Sequence, residues 1–150
     1  MRPTADRVRE AWMNILRTDL EAALVIDLCA GSGALGLEAL SRGAAEVHFV
    51  ERAAASLRVL EQNIETLGAQ DRVQVKRADA VQFVTALSAG AYDVAFADPP
   101  YADSLALLIA EQWLRVPFAA VLSIEHDARV TLPGGSDTRR YGATALTFFR

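Results

Sequence analysis

Leu24-Val-Ile-Asp-Leu-Cys-Ala-Gly-Ser-Gly-Ala-Leu-Gly36 is the stretch from which the fold follows. An apolar run, Leu24 to Leu28, breaks into a glycine-rich turn and then into a helix-forming sequence, Ala34 to Ser41. The run is branched and nearly free of charge, as a strand covered on both faces requires. Gly31 and Gly33 permit a tight turn and let a ligand approach bare backbone. The helix that follows presents unpaired N–H groups at its start. Strand, Gly-x-Gly-x-x-Gly turn and helix together describe a nucleotide-type site. Glu51, about twenty residues on, is spaced to hold ribose hydroxyls.

Outward from this stretch, Arg2-Pro3-Thr4 leads into a helix from about Ala5 to Thr18 with Thr4 as its N-cap. Val8, Ala11, Trp12, Ile15 and Leu16 form its buried stripe, with Trp12 a core anchor. Strands are expected at Glu46–Val50, Val73–Lys76, Tyr92–Ala97 and Ala119–Glu125. Helices are expected between them at Ala53–Leu67, Ala80–Ala89 and Ser104–Arg115. Asp137–Tyr141 and Ala143–Phe149 flank Gly142 as a terminal hairpin. Repeated strand–helix alternation makes a parallel sheet with helices on both faces, and the hairpin adds an antiparallel strand. Residues 1–150 read as one domain without repeats or linkers.

The chain's 150 residues, 52% of them hydrophobic, suffice for a sizeable core. No uncharged apolar window is long enough to span a bilayer, and the charges throughout Met1 to Leu20 argue against a signal peptide. The single cysteine, Cys29, excludes an internal disulfide and fits a reducing cytoplasm. His48 and His126 lie far apart on or beside strands, and no metal site is expected. A net charge of −4 is awkward for a nucleic-acid binder. Arg2, Arg7 and Arg9 with Arg139 and Arg140 are the candidates for a local basic face.

In an open α/β sheet, ligands bind beyond the carboxyl ends of the strands. Asp27, Glu51, Asp79 and Asp98 all stand at or just past such ends, a regular set of acids at the ligand edge. Asp98-Pro-Pro-Tyr101 narrows the chemistry. Pro99 and Pro100 hold the chain stiffly and leave carbonyls free. The Asp98 carboxylate and the Pro99 carbonyl suit the two hydrogens of a planar exocyclic amine. They favour pyramidalisation, which turns the nitrogen lone pair toward an electrophile. Tyr101 offers a flat face for a base, worth ~1–3 kcal/mol, with its hydroxyl dispensable. Asp98 is expected to orient the amine without acting as a strong base, since an exposed carboxylate titrates near ~4. Cys29 reads as a small apolar filler.

The glycine loop, Glu51 and Asp98-Pro-Pro-Tyr101 resemble the class I S-adenosylmethionine-dependent methyltransferases, in particular those that methylate exocyclic amines of bases. More narrowly, Arg2-Pro-Thr-Ala-Asp-Arg-Val-Arg-Glu10, Asp27 to Gly43 and Tyr141-Gly-Ala-Thr-Ala-Leu146 resemble the RsmD-type enzymes. Those methylate the N2 amine of a guanine in bacterial 16S ribosomal RNA. The resemblance implies a Rossmann-like fold with a mostly parallel seven-stranded sheet and a C-terminal antiparallel hairpin. It implies S-adenosylmethionine as cofactor. Its partner would be 16S ribosomal RNA or a small-subunit assembly intermediate, met by a cytoplasmic monomer away from any membrane. By position, Asp27, Ala30, Gly31 and Gly33 would line the methionine part and Glu51 would accept from the ribose. Arg52 would sit beside the adenine, with Asp79 and Ala80 at its amino group. Asp98, Pro99, Pro100 and Tyr101 would form the catalytic segment, and Arg2, Thr4 and Tyr101 would meet the substrate.

Members of that family usually carry a basic, glycine-containing segment ahead of Arg-Pro-Thr, where this chain starts at Met1-Arg2. Such a segment would add positive charge for RNA. Other amino-methyltransferases of the fold, acting on adenine N6, another RNA or a protein glutamine, share the same motifs. A non-catalytic RNA-binding relative would not need both motifs intact. A nicotinamide-dependent dehydrogenase shares the glycine loop but leaves Asp98-Pro-Pro-Tyr101 without a purpose.

Overall fold

The computed structural model describes residues 3–101, 104–135 and 137–150. The chain runs α1 (Pro3–Ile15), α2 (Arg17–Leu20), β1 (Leu24–Asp27), α3 (Ala34–Ser41), β2 (Glu46–Glu51) and α4 (Ala54–Thr66). A 3-10 turn at Gln70–Arg72 precedes β3 (Val73–Arg77), α5 (Ala80–Thr85), β4 (Tyr92–Ala97) and α6 (Leu105–Arg115). The strands β5 (Ala119–Asp127), β6 (Asp137–Tyr141) and β7 (Thr144–Phe149) complete the chain. All seven strands join one sheet in the order β3-β2-β1-β4-β5-β7-β6. Strands β1 to β5 pair in parallel, and β7 runs antiparallel between β5 and β6. The expected sheet with its C-terminal hairpin is therefore present.

Side-chain alternation divides the core between the two faces of the sheet. On one face Val25, Phe49, Phe96, Val121 and Phe148 pack with Trp12 of α1, Leu16 between α1 and α2, Leu37 of α3 and Leu60 of α4. On the other, Ile26, Val50, Ala95, Leu122 and Ile124 pack with Val84 and Ile109 from α5 and α6. Trp12 is 1% exposed and meets Phe96 edge-on, with ring centroids 5.7 Å apart. Its indole N–H donates to Ser123 Oγ at 2.7 Å, and that hydroxyl donates to the Ala95 carbonyl at 3.1 Å. This relay ties α1 to β5 and β4, so the N-terminal helix is fixed over the middle of the sheet.

The first helix begins at Pro3, earlier than expected, which places Thr4 inside its first turn instead of at the cap. Proline suits that position because the first N–H of a helix has no intrahelical acceptor. The same segment jogs at Leu16 and resumes as α2, so that Leu16 and Leu20 are both fully buried. Helix α5 stops at Thr85, short of the expected Ala89. The amides of Ala86 and Leu87 turn back tightly to the Phe83 and Val84 carbonyls, and Leu87 packs against the core.

The third glycine of the loop is a packing requirement. A Cβ on Gly36 would stand 2.4 Å from Phe49 Cε1 and 2.8 Å from Val47 Cγ1. Only the bare backbone lets α3 lie this close to β2, which aims the helix N-terminus at the ligand edge.

Candidate active site

The carboxyl ends of β1, β2, β3 and β4 enclose a cavity of about 270 Å³. Leu28, Cys29, Gly31, Glu51, Arg52, Asp79, Ala80, Asp98 and Pro100 are on its wall. Gly31 has φ 54°, and nothing lies within 4 Å of where its Cβ would be, so a ligand meets exposed backbone there. Glu51 Oε1 accepts from the Gly31 N–H at 2.8 Å, while Oε2 accepts from the N–H groups of Arg52 at 3.0 Å and Ala53 at 2.9 Å. The carboxylate is thus held in place by backbone donors before any ligand arrives. Asn63 braces the other side of the loop by donating to the Ser32 carbonyl at 2.9 Å.

Asp79 has a local duty that its position alone did not reveal. As N-cap of α5 it accepts from the Gln82 N–H at 3.0 Å through Oδ2. Its Oδ1 lies 3.5 Å from the largely exposed Arg52 guanidinium, at the long limit of a hydrogen bond. Asp27, Ala30 and Gly33 do not reach the cavity wall. Asp27 is 1% exposed beneath the glycine turn, where its Oδ2 accepts from the Gly36 N–H at 3.1 Å. Its Oδ1 is buried without a hydrogen-bond partner among the described residues. Burial, and then the nearby charges of Asp98 and Glu51, push this carboxyl up to about 7 against the pull of the Gly36 N–H.

A second, larger cavity of about 700 Å³ opens beside the first. Helix α1 contributes Arg9 and Trp12, the end of β4 contributes Asp98 and Tyr101, and Glu125 and Thr144 come from β5 and β7. Asp98 borders both cavities. Its carboxyl faces open space yet is crowded by protein on its other sides. Desolvation, followed by the charge of Glu125, pushes it up to about 7. Asp98 is exposed, as expected, but the expectation that it titrates like an ordinary exposed carboxylate is corrected.

Tyr101 is 45% exposed, as a stacking surface requires. Its hydroxyl is not idle, however. It donates to Glu125 Oε2 at 3.0 Å and is bonded to Thr144 Oγ1, so it ties the Asp-Pro-Pro-Tyr segment to β5 and β7. Burial raises this phenol to about 12, which keeps it protonated as the donor. Pro99 is buried, and Pro100 lies on the wall of the smaller cavity. Cys29 borders that cavity too, with its thiol pushed up to about 12, chiefly by burial, and so inert as a nucleophile.

The expected basic face is only partly assembled. Arg7 and Arg9 border hollows beside the β6–β7 turn. Arg139 is level with Leu146 and shares the α1 side of the sheet, where it pairs with Asp137 at 3.1 Å. Arg140 is level with Ala145, which is level with His126, and so points to the opposite face. Neighbouring residues of one strand cannot both serve one face. Arg2 and the Thr4 side chain lie outside the described residues. Among the described residues, no cluster of His, Cys, Asp or Glu has the makings of a metal site.

The family pattern described as Conserved hypothetical protein 95 matches residues 1–150, the whole chain. The chain belongs to this family. Ribosomal RNA small subunit methyltransferase D of Escherichia coli is 36% identical over 138 residues, covering 89% of this chain and 68% of that protein. The solved structure of the Escherichia coli protein yhhF superposes with a TM-score of 0.84 at 32% identity, covering 99% of this chain and 86% of the other. An RNA methyltransferase from Salinibacter ruber, solved with S-adenosyl-L-homocysteine, shares the fold at a TM-score of 0.73 and 13% identity, covering 95% and 89% of the two chains. The architecture is that of the class I methyltransferases, and the RsmD-type resemblance is a family relationship.

Within this Conserved hypothetical protein 95 frame, the sequence reading missed Glu125 and Thr144 as neighbours of the site. A signal for Glu125 was available. It sits near the carboxyl end of β5, where the rule that singled out the acids of the first four strands applies equally. Thr144 lies in the Tyr141–Leu146 stretch singled out above, but no residue rule ties it to Tyr101, because an antiparallel hairpin brings it in from a distant part of the chain.

Proposed function

We propose that residues 1–150 act as one domain that transfers a methyl group from S-adenosylmethionine to the N2 amine of a guanine in 16S ribosomal RNA. The substrate is the RNA or an assembling small subunit, and the enzyme works as a monomer in the cytoplasm. The observation that carries this reading is the placement of Asp98 on the shared border of two cavities. One cavity has the polar groups of a nucleoside site, and the other is wide enough for a base.

The smaller cavity suits the cofactor on its own chemistry. Gly31 gives bare backbone, Glu51 offers fixed acceptors for ribose hydroxyls, and Asp79 with Ala80 borders the adenine end beside Arg52. Behind the glycine turn, carried by Ala30 and Gly33, the buried unpartnered Asp27 Oδ1 supplies negative potential for a cationic amino-acid moiety. When bound, the cofactor supplies an electrophilic methyl group on a sulfonium. Asp98 and the Pro99 carbonyl accept the two N2 hydrogens, Pro100 keeps the turn stiff, and Tyr101 stacks on the base. Arg2 and Thr4 add contacts to the RNA substrate. The cofactor would give up the methyl group and keep the C–S electron pair on its sulfur, and Asp98 receives the proton that N2 sheds on gaining the methyl. Alignment lowers most of the barrier. A carboxylate that titrates near neutrality is well matched to receive that proton.

The test is methyl transfer to small-subunit particles that lack the modification, with the product nucleoside identified by mass spectrometry. N2-methylguanosine is expected. N6-methyladenosine, or methylated glutamine in a ribosomal protein, would replace this reading with one of its alternatives.

A further inference from the structure

The larger cavity contains a second carboxylate that amine chemistry at Asp98 leaves unassigned. Ala97 and Ile124 are level partners on β4 and β5, so the next residues follow side by side, Asp98 just past the end of β4 and Glu125 still within β5. Both border the same cavity. Their proximity is felt electrostatically, since the Glu125 charge is one of the two causes that raise Asp98. Glu125 is also oriented: its Oε2 accepts the Tyr101 hydroxyl at 3.0 Å. A carboxylate has about four acceptor positions, so it serves several donors at once, a base edge among them. The site therefore presents two neighbouring acceptors to the edge of whatever base stacks on Tyr101.

Nucleobases differ sharply at that edge. In guanine the exocyclic amine stands next to a ring N1–H, which gives two adjacent donors. In adenine and cytosine the amine stands next to a ring nitrogen that only accepts. A second carboxylate complements the first arrangement and repels the other two. We propose that Glu125 is the specificity-determining residue of this site, accepting the N1–H of the target guanine while Asp98 holds the adjacent N2 amine. The inference rests on the guanine-N2 reading and assigns the residue that enforces it. Rejection arises because an acceptor-only base edge sets its ring-nitrogen lone pair against the Glu125 carboxylate.

The experiment compares guanosine with 2-aminopurine riboside at the modified position of 16S ribosomal RNA, assembled into small-subunit particles. 2-Aminopurine retains the 2-amine but has an acceptor at N1. The wild-type protein should favour guanosine in kcat/KM by roughly 10- to 100-fold, the range for losing a hydrogen bond to a charged group. Glu125→Gln, whose amide can donate to N1, should lose activity on guanosine and gain it on 2-aminopurine, narrowing the ratio at least tenfold. A gain on the analogue is something a merely damaged site does not give. Equal wild-type rates on the two bases would overturn the inference. So would an unchanged ratio in Glu125→Gln while N2-methylguanosine still forms, and that result leaves the guanine-N2 reading standing. Failure of the wild type to form N2-methylguanosine at all removes the reading itself.

Discussion

The two cavities that meet at Asp98 are built in different ways. The smaller one is local in construction: loop, strand end and helix cap each place one polar group, and backbone N–H groups fix the carboxylates of Glu51 and Asp79. The larger one is assembled from segments far apart in the chain, with the Tyr101 hydroxyl bonded both to Glu125 of β5 and to Thr144 of β7. Backbone donors give a rigid site that tolerates little change in chemistry. A side-chain network is more easily altered, which suits the half of an enzyme that chooses the substrate.

Asp98 belongs to both halves, so its removal should have the largest effect. Asp98→Ala is expected to lower kcat by roughly 10²- to 10⁴-fold, the usual range for a positioned proton acceptor. KM for the particle should change far less, because the loss falls mainly on the transition state. Steady-state kinetics with unmodified particles separate the two parameters. A variant that keeps full kcat would show that the border between the cavities is not where the amine reacts.

Glu51 tests the local half alone. Glu51→Ala should weaken S-adenosylhomocysteine binding by about 1–3 kcal/mol, measured by titration calorimetry, and leave KM for the RNA unchanged. A matching rise in the RNA KM would mean that the two cavities do not act independently. The loop bond from Gly31 is lost in the same variant, so part of the effect comes from a less ordered turn.

The contrast between the halves also explains what the sequence made legible. Gly31, Gly33, Gly36 and the strand-end acids announce themselves because a tight turn and a ligand edge demand those residue types at fixed spacing. The central parallel strands were likewise readable, since strands covered on both faces leave apolar runs such as Tyr92 to Ala97. The partners of Tyr101 were not readable. Nothing in residues 98–101 tells that the hydroxyl meets Thr144, because that contact depends on the register of β5 with β7. Nor does composition tell that Asp98 is crowded enough to leave the ordinary carboxylate range. The local jog at Leu16 and the early end of α5 follow from how neighbouring turns pack, which periodicity alone does not encode.

The smallest expected effect is the most discriminating. Asp98 is raised from 3.8 to about 7, so it is largely protonated below neutrality and largely a carboxylate above it. Only the carboxylate accepts both a hydrogen bond from the amine and, afterwards, its proton. Activity should therefore rise with pH through about 7 and level off above it. Asp27 is raised to about the same value, and a single profile does not tell the two apart. Their causes do. The Glu125 charge acts on Asp98 and is not among the causes at Asp27. Glu125→Gln removes that charge, so the residual activity of the variant should show its midpoint below 7. It should stay above the usual carboxylate range, because burial, the larger cause, is unchanged. A midpoint that does not fall would assign the limb to Asp27, and with it to the half of the site that lies behind the glycine turn.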